Sequence, residues 1–146
     1  MRMISIERMR ESAIERVSDA VPAEVDPRRF REGKHPCPRT WRLAVEAYLD
    51  QAEDAKAWHF WHGESGTGKT WAATQALVEI LTTAHGEGFE FHDASELKDT
   101  LAGLGRKPDE KADLINRIAG CDNLVIDDFG HSISEAFAES IRRILA

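Results

Sequence analysis

Only two cysteines occur in the 146 residues, Cys37 and Cys121. Neither has the paired spacing of a zinc site, and two are too few for a disulfide framework, so both read as ordinary reduced thiols. No stretch approaches the ~18 uninterrupted apolar residues that a membrane-spanning helix needs. The opening residues, "MRMISIERMRESAIERV", mix Glu and Arg throughout and contain no apolar core of the signal-peptide kind. These absences predict a cytoplasmic protein with no membrane partner. There is no internal repeat and no low-complexity tract. What is present, 31% charged and 42% hydrophobic residues, is ordinary for a globular chain of about one domain.

The net charge of −7 is unevenly spread. Residues 1–42 carry ten Lys/Arg against seven Asp/Glu, and residues 43–146 carry nine against nineteen. An acidic main body argues against a broad nucleic-acid footprint. The run "RRFREGK" at 28–34, with Arg39 and Arg42 nearby, leaves room for a small basic patch; a solvated linker is the plainer reading.

Apolar periodicity predicts a short amphipathic helix over 4–18, with Ile6, Met9, Ala13 and Val17 on its inner face. Four prolines, at 22, 27, 36 and 38, then predict an extended connector. A second helix follows from Thr40 to about Ala55, burying Trp41, Val45, Tyr48, Leu49 and Ala52. Residues 1–38 therefore read as a helix and linker, and 39–146 as the main folded part.

The most informative stretch is "HGESGTGKTW" at 62–71. It fills every fixed position of the phosphate-loop pattern GxxxxGK[ST] with Gly63, Gly68, Lys69 and Thr70, and adds Gly66 inside the loop. The aromatic run "AWHFWHG" before it predicts a strand, and "KTWAATQALVEILTTAHG" after it a helix, which is the context such a loop requires. Glycines let backbone N–H groups converge on phosphate oxygens at the positive end of the following helix. The nucleotide-binding residues are thus Gly63, Glu64, Ser65, Gly66, Thr67, Gly68, Lys69 and Thr70. Lys69 would reach the β- and γ-phosphates, and the Thr70 hydroxyl would ligate Mg²⁺. The implied cofactors are ATP and Mg²⁺.

Downstream, "FEFH" at 89–92 predicts a strand, and Asp93 three positions before Glu96 predicts a capped helix burying Leu97, Leu101 and Leu104. "PDEKADLINRIAG" at 108–120 opens on proline, closes on glycine and reads as another helix. Then "NLVIDDFG" sets the apolar run Leu124 to Ile126 directly before Asp127 and Asp128. In an α/β sheet the carboxyl ends of parallel strands share one edge, so these acids are placed to meet the loop's crevice. Asp127 would hold Mg²⁺, and Asp128, grouped with Lys69 as catalytic, would orient or deprotonate the attacking water. A strand-ending acid pair that only caps the next helix is the competing reading. That last helix, in "SISEAFAESIRRILA", predicts a buried face of Ile133, Phe137, Ile141 and Ile144.

Together, "GESGTGKTWAATQALVEIL", "FHDASELKDTL" and "NLVIDDFG" resemble the AAA+ ATPases of the DnaC helicase-loader and IstB transposition-helper group, over about Arg39 to Leu145. The resemblance implies a P-loop NTPase fold: a three-layer α/β/α arrangement around a parallel sheet, with Walker A at 63–70 and Walker B at 124–128. It implies ATP hydrolysis coupled to remodelling or loading on DNA, in replication or mobile-element processes. The partners implied are a replicative helicase, a transposase or a full-length AAA+ protein, in an oligomer that shares nucleotide sites. The family often has Glu where Asp128 stands. Its sensor-1 strand, arginine finger and helical lid find no counterpart in the 146 residues, so the core is expected to be incomplete at the C-terminus. Binding is then expected to survive better than turnover. Without the sensor-1 strand, which lies between the two motif strands in that fold, those strands either leave a gap or slide together.

Two other functions fit the residues. "DDFG" also satisfies the DxxG of a GTPase, although no [NT]KxD guanine-reading motif occurs. A non-catalytic nucleotide-binding module that docks on a helicase through residues 1–20 is the other. His59 and His62 fall on opposite faces of a strand, against shared metal binding. His131, Arg142 and Arg143, and the tryptophans at 41, 58, 61 and 71 read as loop, solvated and core residues respectively.

Overall fold

The computed structural model describes residues 5–32, 39–51, 59–64, 68–83, 88–130 and 133–146. It shows an α/β chain, mostly helical, with a small parallel sheet. The chain divides into two compact units, residues 1–87 and 88–146. None of the described helices is long and apolar enough to cross a membrane.

The first unit is built around one helix. α1 (Ile6–Ser18) starts at Ser5, whose side chain accepts from the Arg8 backbone N–H at 3.3 Å. α2 spans Arg39–Gln51 and α3 spans Lys69–Thr82. Both α1 and α2 pack on α3. α3 is apolar on most sides, with Ala72, Ala76, Leu77, Val78, Ile80 and Leu81 all buried, which is the composition of a helix surrounded by protein. Against α2, the small Ala72 and Ala76 make room for Val45, and Trp41, Tyr48, Leu49 and Trp61 close around them. Buried hydroxyls in α3 bond back to their own helix, Thr74 to the Thr70 carbonyl at 2.8 Å and Thr82 to that of Val78 at 2.7 Å.

The inner face of α1 is rotated from its expected position. Ala13, Ile14, Val17 and Ser18 are buried, Met9 is half-buried and Ile6 is 71% exposed. α1 packs on α3 and also on the turn at 27–32, and its buried residues fall in its second half. The proline-rich segment differs too. Instead of an extended connector, residues 23–25 and 27–32 form two 3-10 turns, while 33–38 lie outside the described residues. The cause is Asp26, whose Oδ1 accepts from the Arg28 backbone N–H at 2.9 Å and closes a local turn. Its carboxylate also forks onto the Arg28 guanidinium, at 2.6 Å from Oδ2 to Nη2. The Ser18 hydroxyl stands between the Ile14 carbonyl at 2.6 Å and Asp26 Oδ1 at 2.8 Å, two acceptors for its one proton. Arg29 reaches the Glu24 carbonyl at 3.4 Å, so the start of the expected basic patch is engaged locally.

The second unit is a parallel pair of strands with a helical crossover. β1 (Phe89–Asp93) and β2 (Asn123–Asp127) pair in register from Phe89↔Asn123 to Asp93↔Asp127. Parallel strands need a long connection, which α4 (Ala94–Gly103) and α5 (Pro108–Ala119) supply. The expected caps are in place. Asp93 Oδ1 accepts from the Glu96 N–H at 3.1 Å, Pro108 opens α5 and Gly120 closes it. At the other end of the sheet Gly88 is held twice, by Asp122 Oδ2 at 3.0 Å from its N–H and by Asn123 Nδ2 at 3.2 Å from its carbonyl. Leu124 and Ile126 pack on a core of Ala94, Leu97, Leu101, Ile115 and Ile118, completed by Phe137, Ile141 and Ile144 of α6 (Glu135–Leu145). α6 is capped by the Ser134 side chain, which accepts from the Phe137 N–H at 3.2 Å. Ile133, expected inside, precedes the helix and is 51% exposed.

The strand expected over 57–62 is not found. Residues 57 and 58 lie outside the described residues, and 59–62 carry no strand. The sheet among the described residues contains β1 and β2 only. An extended segment becomes a strand through a paired neighbour, and among the described residues none pairs with 59–62.

The Arg28 guanidinium, bonded to Asp26, holds that carboxyl well below the usual carboxylate range, with the Arg28 N–H and Ser18 adding to the effect. A lowered folded-state pKa stabilises the fold above the unfolded value of ~4, and that stabilisation is lost as the pH falls toward the folded-state value. Asp26→Asn is therefore expected to lower the urea midpoint at pH 7 and to flatten its decline below about pH 4. Parallel pH profiles for wild type and variant would contradict this.

Candidate nucleotide-binding site

Lys69 reaches back to the residues that lead into its helix. Lys69 Nζ donates to the Gly63 carbonyl at 2.8 Å and to the Glu64 carbonyl at 2.7 Å. One side chain thus bridges the two ends of a loop that are five and six residues apart in sequence. The described ends are Gly63–Glu64 and Gly68–Thr70; Ser65, Gly66 and Thr67 lie outside the described residues.

Gly68 has φ 95° and ψ 19°, in the left-handed region where a side chain would be strained, so glycine is required here on backbone grounds. α3 begins at the next residue without a side-chain cap, and its first intrahelical bond runs from the Ala72 N–H to the Gly68 carbonyl at 3.0 Å. The backbone donors of its first turn are those that an anion at a helix start uses. Lys69 and Thr70 are half-buried, and Gly63 and Glu64 are exposed.

Residues 59–62 lead into this loop with alternating orientation. His59 meets the Tyr48 ring edge-on, with centroids 5.5 Å apart at 79°. Trp61 lies 6.0 Å from Trp41. Phe60 stacks on His62 at 6.0 Å and 22° and is 76% exposed. The segment therefore leans on α2 through His59 and Trp61 and turns its other two rings outward. The two histidines make separate ring contacts.

Asp127 and Asp128 belong to the second unit. Asp127 ends β2, half-buried, beside Asp93 in register. Asp128 is exposed with φ 58°, the one non-glycine residue at positive φ among the described residues. Aspartate tolerates this left-handed conformation better than most side chains, and such outliers are frequent at functional sites. Phe129 packs at 6.1 Å from Phe137, which fixes the chain just beyond the acid pair. The two motifs thus fall in different units. The structure joins Lys69 to Gly63 and Glu64 within the first, and Asp127 to Asp93 within the second.

Some polar groupings escaped the sequence reading. Glu90 Oε1 lies 3.1 Å from Arg117 Nη2 and 3.1 Å from His92 Nε2. The period-two alternation of β1 already set Glu90 and His92 on one face; the third member, on α5, had no sequence signal. Nearby, Cys121 Sγ donates to the Asn123 carbonyl at 3.3 Å, and burial pushes the thiol pKa up, which favours its protonated form. Cys37 and His131 lie outside the described residues. Arg142 pairs with Glu139 at 3.0 Å on the exposed side of α6, and Arg143 is exposed beside it.

Comparison with protein-family models, with curated proteins and with solved structures returned no match to this chain.

The backbone at Asp128 yields a test that separates geometry from chemistry. Asp128→Gly is expected to keep or slightly raise stability, whereas Asp128→Val is expected to cost about 1–2 kcal/mol in urea unfolding, because a β-branched residue is strained at positive φ. Equal losses in both variants would contradict this.

Proposed function

We propose that the chain binds a nucleoside triphosphate, Mg·ATP, in the loop Gly63–Thr70, as a P-loop ATPase of the AAA+ helicase-loader and transposition-helper type. The observation that carries this reading is the bridge from Lys69 Nζ to the Gly63 and Glu64 carbonyls, made at the first residue of α3 and after a glycine in the left-handed conformation. Those three features are what the motif requires physically: a closed loop, an ammonium held in it, and a helix start turned to it.

Each residue has a role in this reading. Backbone N–H groups of Gly66, Gly68, Lys69 and Thr70 cradle the phosphates, with Glu64, Ser65 and Thr67 completing the loop. The Lys69 ammonium neutralises β- and γ-phosphate charge while its carbonyl contacts keep it from swinging away. Thr70 Oγ1 would hold Mg²⁺ in the first unit, and Asp127 is the acid that the motif assigns to the ion through water. Asp128 is the acid that the motif assigns to the attacking water, and hydrolysis would drive remodelling of a helicase, transposase or AAA+ partner on DNA in the cytoplasm. Little of this work is covalent, so rate depends on charge positioned around the transferring phosphoryl group.

Titration calorimetry with Mg·ATP tests the reading. Lys69→Ala is expected to weaken binding by at least an order of magnitude, as expected when a charge-assisted bond worth about 1.5–3 kcal/mol is lost. Thr70→Ala is expected to reduce the dependence of binding on magnesium rather than to abolish binding. Equal ATP affinity in wild type and Lys69→Ala would overturn the proposal. Competition with GTP separates ATP from guanine-nucleotide specificity.

A further inference from the structure

α1 packs along the helix that begins at the loop. Its Ala13, Ile14 and Val17 are buried, and Arg10 Nη2 lies 3.3 Å from Glu79 Oε2 on α3. Val17 has no exposed surface at all. The apolar face of residues 13–18 is therefore in use inside the unit.

α3 is one continuous helix of 14 residues, and Lys69 is its first residue. No side-chain cap or intervening turn separates the helix from the loop, so a shift or rotation of α3 carries Lys69 with it. α1, α2 and the two 3-10 turns all pack on α3, the two helices most extensively. α2 holds its first half, through Val45 against Ala72 and Ala76. α1 reaches the second half, at Glu79. Taking α1 away removes the neighbour with the most extensive contact on α3 and uncovers apolar surface that is otherwise buried, which loosens the element that aims the ammonium.

We infer that α1 is a nucleotide-coupled latch: its docking on α3 and polyphosphate binding at Gly63–Thr70 favour each other, so that a partner drawing α1 off α3 weakens the nucleotide site. The inference rests on the nucleotide-binding reading and extends it to regulation. Linkage makes the effect reciprocal. Bound nucleotide tightens α1, and undocked α1 loosens nucleotide by the same factor. Val17 and Arg10 are positioning residues here, acting through α3.

The test uses the full chain in two measurements with Mg·ATP. Hydrogen exchange on the wild type is expected to show amides of residues 10–18 gaining protection in step with those of α3, and by more than those of residues 88–146. Calorimetry on Val17→Ala, with folding checked by circular dichroism, is expected to show affinity reduced about fivefold or more, while Val17→Ile binds close to wild type. Should Val17→Ala fail to fold, Arg10→Ala supplies the second arm with a smaller loss, restored by Arg10→Lys. Protection gained by α3 without α1, or unchanged affinity in a folded Val17→Ala, would overturn the latch and leave the nucleotide reading standing. No ATP binding by the wild type would overturn both.

Discussion

The Lys69 ammonium, 2.8 and 2.7 Å from two carbonyls at the start of its own loop, is the interaction on which the candidate site depends. An ammonium carries three donors and one strongly hydrated charge, and two of those donors are committed to the backbone here. The commitment ties Gly63 and Glu64 to the first residue of α3, at the end of the helix where the dipole is also positive. Two positive features gathered in one place repel each other unless an anion is there to meet them. The arrangement is therefore costly for a turn that only connects secondary structure, and useful for one that receives phosphate.

The helix that carries Lys69 is itself held mainly by packing. α3 is enclosed by α1 and α2, and the alanines at 72 and 76 let α2 approach closely. The second unit rests on a different device. Its parallel pair cannot be closed by a tight turn, so α4 and α5 carry the chain back, and the two strands finish level at Asp93 and Asp127. Beyond Asp127 the backbone turns left-handed at Asp128 and is held by Phe129 against Phe137. That acid pair is thus presented by a backbone whose position is set from both sides.

Much of this was legible in the sequence, wherever a single residue type has one physical use. Asp93, Pro108 and Gly120 mark helix ends because a side-chain oxygen, a missing N–H or a missing Cβ suits those positions. The Leu-Val-Ile run before Asp127 forms a strand because it finds β1 as its partner. The same logic fails at 59–62. Alternation correctly sends His59 and Trp61 one way and Phe60 and His62 the other, but pairing is a property of neighbours that composition does not contain. The 3-10 turns at 23–32 were hidden for a related reason, since prolines signal a break, while the turn itself depends on the Asp26 carboxylate reaching the Arg28 N–H. At the candidate site the residue types are fixed by the motif. The carbonyl contacts of Lys69, the burial of α1 on α3 and the positive φ of Asp128 arise only in three dimensions.

The central claim is that residues 63–70 form a polyphosphate cradle, and the most direct measurement uses the polyphosphate without its base. Magnesium tripolyphosphate would be titrated into ¹⁵N-labelled protein while the backbone amides are followed by NMR. Hydrogen bonds from N–H groups to phosphate oxygens predict saturable downfield shifts at Gly66, Gly68, Lys69 and Thr70, lost in Lys69→Ala. Amides of 63–70 that stay unmoved at millimolar ligand, or that move equally in Lys69→Ala, would contradict the account.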